Sequence, residues 1–216
     1  RDSLIDSLNI SPKTVNIIHL KESFKISSNI PLNKIEDSLI TIRDIDSLII
    51  PFSTSINDRL DEIDIDFEVS PSDNYNIFIK PKAIKDIRGT VNDSLKYNVV
   101  SQSLEDYGNI FLDLITNNNS KYILQLLDSN SNIIREFNNV NSSSTFVFDY
   151  IRPGKYTFRL IEDLNLNDIW DTGNYLKQIQ PEPVYYFLND LDVRANWDLN
   201  EIFNLNLLNS LRDSIN

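Results

Sequence analysis

Apolar and polar residues alternate along most of this chain. Ile63, Ile65, Phe67 and Val69 fall on one side of the pattern, and Asp64, Asp66 and Glu68 on the other. A period of two is the signature of a half-buried strand, because successive side chains point to opposite faces. The same alternation runs through Phe24 and Ile26, through Tyr75, Ile77 and Ile79, and through Leu95, Tyr97 and Val99; short apolar runs cover 39–42 and 48–52. It restarts further on with Ile110, Leu112 and Leu114, then Tyr122, Leu124 and Leu126, then Phe146, Phe148 and Tyr150, then Tyr156, Phe158 and Leu160, and finally 184–187 and 191–193. Clusters of Asn, Asp and Ser separate the runs, and these residues form turns by bonding their own backbone. Many short strands between turn signals predict antiparallel sandwiches.

The alternation breaks at Ser103 to Asn109. That break divides the chain into one predicted sandwich over 1–103 and a second over 104–198. Asp-Ser-Leu recurs at Asp2, Asp6, Asp37, Asp46 and Asp93. The copies keep no fixed period, so they read as turn-to-strand transitions and not as a solenoid repeat. Pro153-Gly154 predicts a tight turn, with proline at its first corner and glycine at a positive φ.

Beyond residue 198 the spacing changes. Leu199, Phe203, Leu207 and Leu211 recur every four residues, and Ile202 and Leu208 widen the stripe. Asp198 and Glu201 fit a capping box. An amphipathic helix or tail is predicted over 199–216, packed on its own domain or docked on a partner.

Charge narrows the function classes. The 216 residues carry 32 acids and 20 bases, for a net charge of −12. Such a field repels phosphate backbones, so nucleic acid is not the expected partner. No cysteine is present, which excludes thiol catalysis, disulfides and thiolate-bound zinc. No apolar run approaches the ~18 residues of a membrane-spanning helix. The chain begins at Arg1 and contains no methionine, so it reads as a processed or partial product.

One loop carries candidate chemistry. In Asp163-Leu-Asn-Leu-Asn-Asp-Ile-Trp-Asp171, side-chain oxygens fall at loop positions one (Asp163), three (Asn165), five (Asn167) and nine (Asp171), and the Ile169 carbonyl stands at position seven. Calcium takes six to eight oxygens, and alternate residues of a tight loop can converge on one ion. The glycine usual at position six is Asp168 here, and the glutamate usual at position twelve is Asn174. A strand pattern, not a helix, precedes the loop, so this is no EF-hand; the choice is between a calcium loop on a β scaffold and a polar turn without an ion. Asp128, Asn130 and Asn132 repeat the spacing between two strands and read as a hairpin turn.

Other constellations are weaker. His19 is the only histidine and cannot build a multi-histidine zinc site; a structural or surface role is expected. Neighbouring acids such as Glu162 and Asp163, or Asp61 and Glu62, point to opposite faces of a strand and make poor glycosidase dyads. Trp170 and Trp197 serve as buried loop anchors or, if exposed, as stacking platforms. Of Tyr185 and Tyr186, one should face the core.

Several segments resemble known families. Asn92-Asp-Ser-Leu-Lys-Tyr97 and Ser103-Leu-Glu-Asp-Tyr-Gly-Asn109 resemble the end of a bacterial SbsA-type Ig-like domain and its connector. Asp149-Tyr-Ile-Arg-Pro-Gly-Lys-Tyr-Thr-Phe-Arg-Leu160 resembles the Pro-Gly-x-Tyr hairpin of transthyretin-like and Cna-B-like domains. Asp163 to Gly173, Gln180-Pro-Glu-Pro183 and Arg194-Ala-Asn-Trp197 are similar to the closing segment of large Ig-like-domain lipoproteins of Gram-negative outer membranes. In those relatives the loop reads Asn-Gly-Lys-Trp-Asp, and this chain departs at the glycine. The resemblance implies an Ig-like domain followed by a transthyretin-like or Cna-B-like one. It also implies export, a lipid anchor upstream of Arg1 as the one membrane association, and a non-enzymatic role at the outer membrane.

Three functions follow as expectations. The first is a structural or protein-interaction module whose partners are other outer-membrane or cell-surface proteins. The second is a glycan- or ligand-binding accessory module with Trp170 or Tyr185 exposed in a groove. The third, a hydrolase, needs two carboxylates about 5–9 Å apart in a cleft. The first is preferred, with calcium the one candidate cofactor.

Overall fold

The structure is a computed structural model that describes residues 7–116, 120–141 and 144–207. It is nearly all β and divides into two compact units, 1–104 and 105–216.

Unit one contains β1 (Ile10–Pro12), β2 (Ile17–Ile18), β3 (Phe24–Ser28), β4 (Leu32–Ile35), β5 (Ile40–Arg43), β6 (Phe52–Ile56), β7 (Glu62–Phe67), β8 (Asn74–Ile79), β9 (Ile84–Asp86) and β10 (Leu95–Ser101). A sheet of order β1-β3-β7-β6 and a sheet of order β2-β10-β8-β5 form its sandwich. This is the immunoglobulin arrangement, with the first strand shared between the two sheets, so that β2 runs parallel to β10. The alternation decides which residues fill the interior. Phe24, Ile26, Ile63 and Ile65 come from one sheet and Ile42, Tyr75, Ile77 and Ile79 from the other, all fully buried. Burying each such side chain contributes about 1.5–3 kcal/mol. Tyr75 also accepts the Ser70 amide N–H at 2.7 Å, which satisfies its buried hydroxyl. Asp37–Leu39 forms a short 3-10 turn and Asp93-Ser-Leu95 leads directly into β10, so these two Asp-Ser-Leu copies do open strands. The first copy, Asp2 to Leu4, lies outside the described residues.

Strands β4 and β9 lie in the β3–β5 and β8–β10 connections and pair with each other as a separate ribbon.

Unit two contains β11 (Gly108–Ile115), β12 (Lys121–Asp128), β13 (Ile133–Val140), β14 (Ser144–Ile151), β15 (Gly154–Asp163), β16 (Val184–Tyr186), β17 (Leu191–Val193) and β18 (Asp198–Asn204). A sheet of order β14-β11-β18 packs on one of order β13-β12-β15-β16, with β17 beside the start of β15. Phe148, Phe158, Phe187 and Phe203 stack through its core at successive centroid separations of 5.1, 5.9 and 5.5 Å.

Two sequence expectations need correction here. The stretch expected to open a helix at Leu199 is strand β18 as far as Asn204, paired in parallel with β11. Helix begins only at Leu205, is described through Leu207, and 208–216 lies outside the described residues. A four-residue spacing is a multiple of two, so Leu199 and Phe203 share the inner face of a strand as well as they would share a helix face. Ile202, at an odd spacing, is exposed. Asp198 caps nothing; its Oδ1 accepts the Asn109 side-chain amide across the parallel pair at 2.8 Å. The second correction concerns Pro153-Gly154. Gly154 has no positive φ; the left-handed residue is Tyr150, at φ 57°. The corner is held instead by the Tyr156 hydroxyl, which donates to the Arg152 carbonyl at 2.9 Å.

Candidate loop site at the end of strand β15

Strand β15 ends at Asp163, and the chain does not return to the sheet until Val184. Connections of this length without regular structure are uncommon and serve either as functional loops or as linkers. Asp163 is buried at the sheet margin. Its Oδ1 accepts the Asn167 amide N–H at 3.2 Å and its Oδ2 that of Asp168 at 2.9 Å. The Asn165 and Asn167 side-chain oxygens then accept the amides two residues on, at 3.2 and 2.9 Å. These are successive Asx turns, the local bonding that Asn and Asp favour.

The amide nitrogens of Asn165 and Asn167 both donate to Asp171 Oδ2, at 2.5 and 3.0 Å. All four predicted side chains, Asp163, Asn165, Asn167 and Asp171, therefore meet in one loop. Leu166 and Asp168 lie at φ 61° and 60°. Asp168 thus adopts the left-handed conformation for which glycine is usual at that position, and Asp tolerates it because its side chain is short and polar.

The position-twelve residue is elsewhere. Asn174 bridges Ile179 in a small hairpin, and its Oδ1 accepts the Lys177 amide at 3.0 Å. The acid that closes the loop is Glu182, which the spacing did not single out. It is buried, and it accepts the Leu164 amide on Oε1 at 2.8 Å and the Asp171 amide on Oε2 at 3.1 Å. Its only signal in sequence is its place between Pro181 and Pro183, which hold the backbone extended.

Among the described residues no three Asp, Glu, His or Cys side chains converge as a metal cluster. An ion held here would draw on amide and backbone oxygens beside Asp163 and Asp171. A shallow groove of about 360 Å³ lies alongside, lined by Asn165, Asp171, Gly173, Asn174, Gln180 and Glu182 among others. Gly173 is required in its floor: its φ is +78°, and a Cβ there would lie 2.6 Å from Pro181 N.

The remaining candidates separate. Asp128 forms the β12–β13 hairpin turn, accepting the Asn130 and Asn132 amides at 2.8 Å each. The Asn132 side-chain amide beside it holds the Asp128 carboxyl below its ordinary value. Glu162 and Asp163 do point apart: Glu162 accepts Ser120 Oγ at 2.6 Å. Asp61 is engaged by Asn57, and Glu62 by Lys13 and Lys25. His19 is half-buried. Trp170 and Trp197 are 45% and 57% exposed, so neither is a buried anchor. The indole N–H of Trp170 donates to the Glu182 carbonyl at 3.3 Å, and the Arg194 guanidinium covers Trp197 at 5.4 Å. Tyr185 packs against the core and Tyr186 is exposed, so Tyr185 is not the open platform that a glycan groove was expected to use.

No protein-family model matches the chain, and no curated protein matches it. Several solved structures align with it. Native alpha-2-macroglobulin of Escherichia coli, over domains MG0-NIE-MG1, does so with a TM-score of 0.38 at 12% identity, across 83% of this chain and 70% of that one. The N-terminal part of the bacterial S-layer protein SbsC gives 0.41 at 9% identity, across 74% of this chain and 42% of that one. BcpA, the major pilin subunit of Bacillus cereus, gives 0.27 at 12% identity, across 92% and 70%. At these values none of them bears on the function of this chain.

Proposed function

We propose that this protein is a non-catalytic, exported module of the bacterial cell surface. It presents its turns and sheet edges to other outer-membrane proteins and is held at the membrane by a lipid anchor upstream of Arg1. One observation supports this reading above others. At Asp163, Asn165, Asn167, Asp171 and Glu182 the polar side chains bond the loop's own backbone and one another. General acid–base chemistry instead needs a group aimed at a substrate proton.

This loop is a calcium site. Asp163, Asn165, Asn167 and Asp171 supply side-chain oxygens and Ile169 its carbonyl, and the ion displaces the two amide nitrogens that now bond Asp171. Affinity recovery from detergent-solubilised outer membranes tests the module reading. It should return one or more outer-membrane proteins in stoichiometric amounts; a protein that stays monomeric and alone counts against it.

A second reading is glycan binding. It is favoured by the exposed face of Trp170 beside a groove rich in amides and carboxylates. Trp170→Ala should then abolish retention on immobilised cell-surface glycans while leaving recovery of protein partners intact.

A further inference from the structure

The β4–β9 ribbon of unit one carries an arrangement that folding alone disfavours. Lys34 and Lys85 stand directly opposite each other in its antiparallel ladder, and like charges so placed repel. Lys34 reaches Glu36 at 2.8 Å. Among the described residues Lys85 has no ion-pair partner, nor have Lys80, Lys82 or Arg88. These four cations fall within nine residues of a chain whose net charge is −12.

The one acid in that stretch, Asp86, is buried and turned inward. Its Oδ1 accepts the amides of Arg88 and Thr90 at 2.9 and 2.8 Å. Buried Asn92 does the same work from the other side, accepting the Ile84 amide at 2.7 Å and donating to the Lys80 carbonyl at 3.0 Å. Two buried polar residues thus hold the loop backbone from within while the cations face solvent. Ile87, two residues beyond Lys85 in the turn that follows β9, is 58% exposed. Val91, which bridges Lys85 on its other side, is exposed as well.

We infer that this ribbon docks on an anionic phospholipid surface. Lys34, Lys80, Lys82, Lys85 and Arg88 donate to headgroup phosphates, and Ile87 and Val91 enter the headgroup boundary. Charge complementarity selects an anionic partner, and the two aliphatic side chains select lipid. Single-stranded nucleic acid is gripped by aromatic stacking, and the ribbon has no aromatic residue. A stable protein partner engages about 20–30 residues per side, and this ribbon presents these seven side chains. A Debye length of about 8 Å at physiological salt screens the acidic remainder of the surface. The inference does not depend on the reading of unit two: partner recovery can fail while vesicles still bind.

Vesicle co-sedimentation of the full chain tests it. The protein should pellet with vesicles of phosphatidylcholine mixed with phosphatidylglycerol, not with phosphatidylcholine alone, and less as salt rises. Removing a cation near the surface should weaken binding about fivefold, so Lys85→Ala with Arg88→Ala should lower it more than tenfold. Ile87→Asp should lower it with every cation in place. The double reversal Lys155→Glu with Lys177→Glu, exposed cations of unit two, should leave it unchanged; circular dichroism confirms that each variant is folded. Equal pelleting of the Lys85/Arg88 variant overturns the proposal. So does equal loss in the unit-two control, salt-dependent self-association without vesicles, or capture by soluble polyphosphate that ignores Ile87→Asp.

Discussion

Asp171 and Glu182 are joined by two hydrogen bonds: the Asp171 amide donates to Glu182 Oε2 at 3.1 Å, and the Glu182 amide donates to the Asp171 carbonyl at 3.0 Å. The same carboxylate takes the Leu164 amide on its other oxygen, so one buried acid ties the first and last turns of the loop together. Loops built mainly of solvent-facing polar residues are ordinarily the least stable part of a fold. This one is anchored at both ends by buried carboxylates, Asp163 and Glu182.

Glu182→Ala should therefore lower the stability of the protein by about 1–3 kcal/mol, because it leaves two amide donors without their acceptor. Glu182→Gln keeps one carbonyl acceptor and should cost less than the alanine variant. Urea unfolding of the three proteins side by side checks the order.

Calcium added to chelator-treated protein should raise its melting temperature. The gain should reach about 2.7 kcal/mol when the free ion stands at a hundred times its dissociation constant. Asp171→Asn should erase the shift while leaving the ion-free melting temperature close to that of the parent, since Asn still accepts from Asn165 and Asn167. No shift at millimolar calcium removes the site.

Glycine is required at position 108 and dispensable at 154. A Cβ on Gly108 would lie 2.5 Å from the Arg194 carbonyl and 3.0 Å from that of Trp197, both backbone atoms that cannot swing aside. Gly108→Ala should destabilise by about 1–3 kcal/mol through overpacking. Gly154→Ala meets nothing nearer than 3.5 Å and should be almost neutral. Thermal unfolding of the two variants separates them.

The outer face of the β3–β7 pair should make stability depend on pH in opposite senses at the two extremes. The Glu62 carboxyl is held below its ordinary 4.5, first by its hydrogen bond from Lys13. Its contribution is present above 4.5 and is lost as pH falls through the depressed value. Lys25 is held above its ordinary 10.5, first by Asp64. Its contribution is present below 10.5 and is lost as pH rises through the elevated value. Glu62→Gln should flatten the acid limb of a stability–pH profile and soften the alkaline limb, because Glu62 also supports Lys25.

The strands were legible because each needs only local information. Ile63, Ile65 and Phe67 alternate with acids whatever they pair with, and the physics of a half-buried surface allows no other placement. The candidate loop was legible for the same reason: Asp163, Asn165 and Asn167 bond amides two to five residues away, so their spacing carries their geometry. Glu182 was not, since it reaches Leu164 across eighteen residues and no periodicity links them.

What this sequence determined by itself is therefore its two-residue rhythm and the self-bonded turns at Asp128 and Asp163. The tertiary structure alone decided three things. It made the stretch from Asp198 a parallel strand, because Leu199 and Phe203 suit either period and only the free edge of β11 selects one. It exposed both tryptophans. It set Lys34 against Lys85. Each of these depends on a neighbour distant in the chain, and hydrophobic patterning carries no record of which strand lies alongside.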